Sequence, residues 1–152
     1  MRIGPALLVL AAAALVSCGS NSSSPATVTV TESSSPSQPT KLSGLQEYPS
    51  AQALADDLTK YGHTCNMRPT GGGMNSVDAG NCYIDGTEMV LAIYADQSKI
   101  DEQIDFIVEV LGGNNMEYGM LDGKNWTVNC GSRAACQELQ DDLGGSITAP
   151  LG

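Results

Sequence analysis

The sequence has 152 residues, with 7 Lys or Arg against 17 Asp or Glu, and its formal net charge is -10. This length allows one modest domain. The acidic balance argues against nucleic-acid partners, because phosphate contacts need a basic face. The apolar runs are shorter than a membrane-spanning helix requires, which excludes a polytopic membrane protein.

The N-terminus has the pattern of an export signal. Arg2 precedes an apolar stretch from about residue 5 to residue 16, as in a secretory signal peptide. Leu15 to Cys18 read LVSC and resemble the bacterial lipobox. The resemblance implies a lipoprotein signal peptide over 1–17 and a diacylglyceryl group on Cys18 that holds the chain to the outer face of the cell membrane. The alternative is an ordinary signal peptide that is cut elsewhere, with Cys18 an unmodified thiol.

Residues 18–47 are predicted to be the lipidated cysteine and a flexible linker. Between 19 and 43, 16 of 25 residues are Ser, Thr or Pro. Such a composition buries too little apolar surface to offset the entropy of folding. The alternation TVTVT at 27–31 is compatible with a strand, but extended coil is the simpler interpretation. The remaining residues, 48–148, are predicted to form one extracytoplasmic domain.

The first half of this domain is predicted to be a helix, a loop and a hairpin. Ser50 is a candidate N-cap for a helix that Gly62 ends, and no periodicity organises residues 63–82, which predicts a long loop. Asp85-Gly86 is a strong signal for a two-residue hairpin turn. That turn pairs Ile84 with Thr87 and places five side chains on one core face: Cys82, Ile84, Met89, Leu91 and Ile93.

The second half repeats the order of helix and hairpin. Asp96 or Ser98 caps a second helix whose apolar stripe is Ile100, Ile104, Ile107 and Leu111, and this helix is expected to pack on the first hairpin. A second hairpin is predicted to turn at Asp122-Gly123, with Leu121, Trp126, Val128 and Cys130 on one face. Ser132 caps a last helix with the stripe Cys136, Leu139 and Leu143. We therefore predict a small α+β two-layer sandwich in the order αββαββα, with the helices on one face of the sheet. The matching Asp-Gly turns fit either a duplication or two independent hairpins.

Cysteine usage supports export. Once Cys18 is set aside, an even number remains, and even sets outside the cytoplasm favour disulfides. Three pairings are possible in principle. Cys65, then Cys82 with the DG hairpin, a later GKNW strand and a terminal LGG resemble small secreted lipoproteins of high-GC Gram-positive (actinobacterial) cells and their phages. This loose resemblance implies the pairs Cys65–Cys82 and Cys130–Cys136, and it implies no activity.

The sequence indicates presentation of a binding surface rather than catalysis. His63 is the single imidazole, and the chain has no HExxH pattern and no cysteine-histidine cluster, so we expect no metal, no cofactor and no enzyme activity. Trp126 has two interpretations, a core anchor or an exposed platform for carbohydrate. The leading hypothesis is a membrane-anchored module that binds an envelope protein or another surface ligand, with no nucleic acid. A phage or prophage lipoprotein that excludes superinfection is the alternative, and an envelope hydrolase is a lesser one.

Two surfaces are candidates for that partner. The loop after the first helix offers polar side chains on a disulfide-anchored excursion, and the second helix carries carboxylates one turn apart. The alternative for the helix is an ordinary solvated face. The candidate binding residues are Asn66, Arg68, Asn75 and Asp78 in the loop, and Asp101, Asp105 and Glu109 on the helix.

Overall fold

The computed structural model describes residues 39–114 and 116–148. The signal peptide, Cys18 and the linker as far as residue 38 lie outside the described residues. Within the described part, helices and one antiparallel sheet combine into an α+β fold, which confirms the predicted class. The sheet has six strands in the order β1-β2-β3-β5-β4-β6. The strands are Arg68–Pro69 (β1), Asp78–Ile84 (β2), Thr87–Ile93 (β3), Met120–Asp122 (β4), Trp126–Asn129 (β5) and Ser146–Thr148 (β6). The helices are Ala51–Lys60 (α1), Gln97–Ile107 (α2) and Arg133–Leu143 (α3), and a π-helical turn, Val108–Gly112, continues α2.

The helix starts follow the sequence signals. Ser50, Asp96 and Ser132 each accept a hydrogen bond from a backbone N–H in the first turn of α1, α2 and α3 respectively. These side chains satisfy backbone donors that have no partner inside a helix. Asp96, rather than Ser98, is therefore the cap of α2.

The first hairpin has the predicted register. Ile84 lies opposite Thr87 and Cys82 opposite Met89. Asp85 and Gly86 both have positive φ, at 50° and 82°, as a two-residue turn between twisted strands requires. The long loop is shorter than predicted, however, because β2 begins at Asp78 and β1 pairs with it inside the segment that was assigned to loop.

The second hairpin turns two residues later than predicted. Leu121 lies opposite Val128 and Asp122 opposite Thr127, and the Gly123 N–H donates to the Trp126 carbonyl at 2.9 Å. The turn therefore lies at residues 124 and 125, not at Asp122-Gly123. A shift of the turn by two residues preserves the side-chain alternation, so the predicted core face survives the error.

The main core lies between the sheet and the pair α1 and α3. It contains every side chain of the two predicted hairpin faces, and α1 adds Leu54 and Leu58 while α3 adds Leu139 and Leu143. Trp126 is 0% exposed, and its indole N–H donates to the Gln46 carbonyl at 3.0 Å. Its interpretation as a core anchor agrees with this burial.

The predicted two-layer arrangement is wrong, because α2 lies on the opposite face of the sheet. Ile100 and Ile104 of α2 pack with Ala79, Ala92 and Tyr94, which alternate with the main-core residues of β2 and β3. The run MVLAIY at 89–94 gives β3 apolar side chains on both faces, and such a strand is covered on both sides. The element order also differs from αββαββα, since β1 and β6 add an edge strand at each side.

Two disulfides join the sheet to its surroundings. Cys65 bridges Cys82, and Cys130 bridges Cys136, with a Cα–Cα distance of 5.3 Å in each pair. The first bridge fastens the segment after α1 to the middle of β2. The second fastens the end of β5 to the first turns of α3.

Part of the segment assigned to the linker packs against the domain. The Leu42 N–H donates to the Asp142 carbonyl at 2.7 Å, and the Gln46 side chain donates to the Leu143 carbonyl at 3.0 Å. Gly44 lies so close to the backbone of Gly145 that a side chain has no room there. Residues on the N-terminal side of residue 48 therefore also contact the domain.

Candidate functional site

A groove lies on the α2 face of the sheet, between the second half of α2 and the loop that joins β1 to β2. Its volume is about 540 Å³, within the range of ligand-binding pockets. The floor consists of outward-facing positions on four strands: Ala79, Val90, Ala92, Tyr94, Met120, Thr127 and Asn129. The walls are Thr70 to Met74 and Ser76 on one side, and Gln103, Phe106 and Ile107 on the other.

Small side chains create the hollow. Ala79 and Ala92 occupy neighbouring strands directly opposite one another, in a position where larger residues would fill the space beneath α2. Both are nearly buried, with exposed fractions of 7% and 8%. The groove therefore results from the small residues on the floor, next to the place where Ile100 and Ile104 of α2 pack on the sheet.

The glycine-rich wall is fixed at both ends. The Thr70 N–H donates to the Ala79 carbonyl at 2.9 Å, and the Val77 N–H donates to the Ile93 carbonyl at 2.8 Å. Within the loop, the Gly73 N–H donates to the Ser76 hydroxyl at 2.8 Å. The Cys65–Cys82 bridge holds the base of the same loop. A loop built on such supports presents its backbone groups in a defined position.

The lining is polar only through uncharged groups. Tyr94 and Thr127 are both buried and lie within hydrogen-bond distance of each other, with 3.3 Å between the hydroxyl oxygens. Burial raises the pKa of Tyr94, and the hydrogen bond with Thr127 opposes that effect, so the phenol stays protonated at neutral pH. Among the described residues, those that line the groove include no Asp, Glu, Lys, Arg or His.

The helix above the groove has few anchors. Ile100 is the buried residue of α2, whereas Phe106, Val108 and Val110 have exposed fractions of 45%, 40% and 41%. A segment with little buried apolar surface opens at low free-energy cost. The C-terminal half of α2 and the π-helical turn are therefore expected to open at lower free-energy cost than the core elements.

One of the four predicted loop residues contacts a wall of this groove. Asn75 is half-buried, and its side-chain amide donates to the Gln103 carbonyl oxygen at 3.5 Å. Asp78 instead has a structural role, because its carboxylate accepts the Ala51 N–H of α1 at 2.8 Å. Asn66 and Arg68 are exposed, and neither lines the groove.

The acidic face of the second helix is exposed to solvent. Asp101, Asp105 and Glu109 all point away from the buried side of that helix, and none of them lines the groove. Asp101 accepts a hydrogen bond from the Gln97 side chain at 3.2 Å, within its own helix. The structure therefore does not join the two predicted surfaces into one site.

Asp122 lies in a second hollow, at the other end of β4. Ser43, Gln97 and Lys124 are among the residues around this hollow, whose volume is about 470 Å³. Burial raises the pKa of Asp122 to about 6, and the nearby carboxylate of Asp101 adds to the effect. The partial burial of this carboxylate could not be predicted from the sequence, where Asp122 was assigned to a hairpin turn.

Other chemistry is sparse in the described part of the chain. The His63 imidazole lies against the Asp142 carboxylate, with 2.9 Å between Nε2 and Oδ2. Residues 39–114 and 116–148 contain no group of three or more His, Cys, Asp or Glu arranged to hold a metal ion. In the same residues, no helix is long and apolar enough to cross a membrane.

The floor of the groove lies on the face of each hairpin opposite to the predicted core face, and it was therefore not predicted. The signal was present in the alternate positions of β3 and β5, where Val90, Ala92, Tyr94 and Thr127 are apolar or uncharged instead of charged. A solvated sheet face carries charged side chains more often. Ala79 and Ala92 indicate a hollow only when the pairing of β2 with β3 is known, because that pairing places the two small side chains next to each other.

Comparison with known proteins gives no relative from which a role can be transferred. No protein-family model, no curated protein and no solved structure matches this chain.

Proposed function

We propose that this chain is a lipid-anchored extracytoplasmic module that binds its ligand in the groove between α2 and the sheet. The two disulfides are compatible with an oxidising compartment. The lipobox-like LVSC and the Ser, Thr and Pro-rich segment after it supply the anchor and the tether of this proposal. The module acts by holding its ligand near the outer face of the membrane.

The groove itself is the observation that carries the binding role. Its volume of about 540 Å³ lies under a helix with one fully buried side chain, and its floor is largely apolar. Exposed apolar surface in a concave site lowers its free energy by taking up a ligand, because water is released from both. Burial of exposed Phe106 and Met74 against a ligand would add to that gain.

The anchor is tested by intact mass and cell fractionation. Wild-type protein from membranes is expected to begin at Cys18, to carry a diacylglyceryl group and to contain both disulfides. The Cys18→Ala variant is expected to lose the lipid and to leave the membrane fraction. A wild-type protein without lipid, or equal membrane retention of both forms, would contradict the anchored part of the proposal.

The binding role is tested by what the protein carries when it is purified. Ala92→Leu fills the floor of the groove, and Ala95→Leu adds the same side chain at an exposed position outside the lining. Organic extracts of wild type and of the two variants are compared by mass spectrometry. A molecule that is present with wild type and Ala95→Leu but absent with folded Ala92→Leu supports the groove as the site. If all three carry the same molecules, or none, the groove is not the binding site.

A further inference from the structure

We infer that the groove takes an uncharged amphiphile with a single hydrocarbon chain and a hydroxyl-bearing headgroup. This inference rests on the proposed binding function and names the ligand class. It follows from three properties of the lining: its charge, its shape and the type of its polar groups.

Charge excludes ionic ligands. The whole chain has a net charge of -10, yet the described residues around the groove include no ionisable carboxylate, amine, guanidinium or imidazole. A charged headgroup that is taken out of water needs a partner of opposite charge, and this lining has none to offer. An anion would in addition be repelled by the acidic surface of the protein.

Shape favours a chain over a compact ring system. The lining positions run from Val90 through Ala92 on β3 to Tyr94 directly after it, about 13 Å at the usual rise of a strand. Across the groove the floor carries small side chains, because Ala79 and Ala92 lie opposite one another on neighbouring strands beneath α2. Met74 borders the groove and Met120 forms part of its floor, and their unbranched thioethers adapt to a flexible partner.

The polar groups suit hydroxyls. Thr70, Gln103, Thr127 and Asn129 offer both donors and acceptors without charge, and the glycine loop adds its backbone groups. A hydroxyl is also both donor and acceptor, so it can satisfy such groups in either orientation. The headgroup would lie against these polar groups of the walls and floor, and the chain would cover the alanine part of the floor.

The test uses three probes that each have a ten-carbon chain but differ in the headgroup. Monodecanoylglycerol is neutral, decanoate is anionic and decyltrimethylammonium is cationic, and each is titrated below its micellar concentration. The protein is the chain from residue 18 onward with Cys18→Ser, so that no acyl group of its own competes. The neutral probe is expected to bind at least about tenfold more tightly than either ion, because burial of a charge without a partner is costly.

Two pairs of variants locate the binding. Phe106→Ser removes an exposed apolar wall residue, and Val108→Ser is its matched control, since Val108 is similarly exposed on the same helical segment but does not line the groove. Phe106→Ser is expected to weaken binding of monodecanoylglycerol about tenfold, as loss of a well-packed aromatic contact does, and Val108→Ser to leave it unchanged. Ala92→Leu is expected to abolish binding and Ala95→Leu to preserve it. Circular dichroism is used to check that each variant is folded.

Several results would overturn the inference. Equal affinities for the three headgroups, no binding of the neutral probe, or equal effects of Phe106→Ser and Val108→Ser each contradict it. Failure of the ligand class is distinguishable from failure of the binding role. If wild type co-purifies with a charged or chainless molecule that folded Ala92→Leu does not carry, the groove binds a ligand of another class. In that case the proposed function stands and this inference falls.

Discussion

Removal of either disulfide is expected to destabilise the domain, and removal of Cys65–Cys82 to cost more. The two bridges close loops of different length, with sequence separations of 17 and 6. In the chain-entropy model, cross-linking at these separations lowers the entropy of the unfolded chain by an amount worth about 3 kcal/mol and about 2 kcal/mol respectively. The expected difference between the two variants is therefore about 1 kcal/mol.

The comparison is made between Cys65→Ala/Cys82→Ala and Cys130→Ala/Cys136→Ala. All four cysteines are buried, with exposed fractions from 0% to 7%, so the loss of packing is similar in the two variants. Urea unfolding gives the free energy of unfolding of each variant and of wild type. For a domain of this size, 1 kcal/mol corresponds to a shift of about 4 to 8 °C in the midpoint of thermal unfolding.

The Cys65–Cys82 bridge also affects the proposed ligand site. It holds the base of the loop from Thr70 to Ser76, which forms one wall of the groove. Cys65→Ala/Cys82→Ala is therefore expected to weaken ligand binding under conditions where it is still folded, whereas Cys130→Ala/Cys136→Ala is not. If the variant that lacks the shorter bridge were the less stable one, or if the two were equally stable, the loop-entropy reasoning would be refuted.

Three further predictions concern stability. Burial raises the pKa of Asp122 from 3.8 to about 6, so its protonated form favours the folded state, and this contribution is lost as pH rises through 6. Asp122→Asn is therefore expected to raise the free energy of unfolding by about 1 kcal/mol above pH 7, after allowance for solvent screening, and to give no gain below the unfolded pKa. An effect that does not depend on pH would contradict this prediction. Asp78→Ala leaves the first N–H of α1 without its acceptor and is expected to cost about 1 kcal/mol in urea unfolding, with a smaller cost for Asp78→Asn, which keeps an acceptor oxygen. Gly123→Ala places a methyl group against the indole of Trp126 and is expected to lower the free energy of unfolding by about 2 kcal/mol. Gly112→Ala is the control, because its methyl group meets no atom, and its melting temperature is expected to be no lower than that of wild type.

Elements with a local cause were predictable from the sequence. Ser50 and Ser132 begin their helices because a hydroxyl accepts a backbone N–H, and that interaction needs nothing from the rest of the fold. The first hairpin is of the same kind, since Asp85 and Gly86 adopt the two positive φ angles of a tight turn. The same dipeptide at Asp122-Gly123 does not form the second turn, so the dipeptide favours a turn without determining it. The core face of each hairpin followed from alternation, and it was correct even where the turn itself was misplaced.

Elements with a nonlocal cause were missed. β6 forms by pairing with the edge of β4, and its three residues are too few to show the alternation that predicts a strand. The side of the sheet that α2 covers depends on which apolar face is still open after α1 and α3 have packed. The candidate site could not be predicted because its floor comes from four strands whose order in the sheet differs from their order in the sequence.

The most direct test of the account is a residue-by-residue map of where a neutral amphiphile binds. The isotope-labelled chain from residue 18 onward, with Cys18→Ser, is titrated with monodecanoylglycerol, and its backbone amide resonances are followed by NMR. We expect saturable shifts that are largest for floor and wall residues such as Ala79, Ala92, Gln103 and Thr127. Saturable shifts centred instead on the surfaces of α1 and α3, or no saturable shifts at all, would contradict the assignment of this groove as the ligand site.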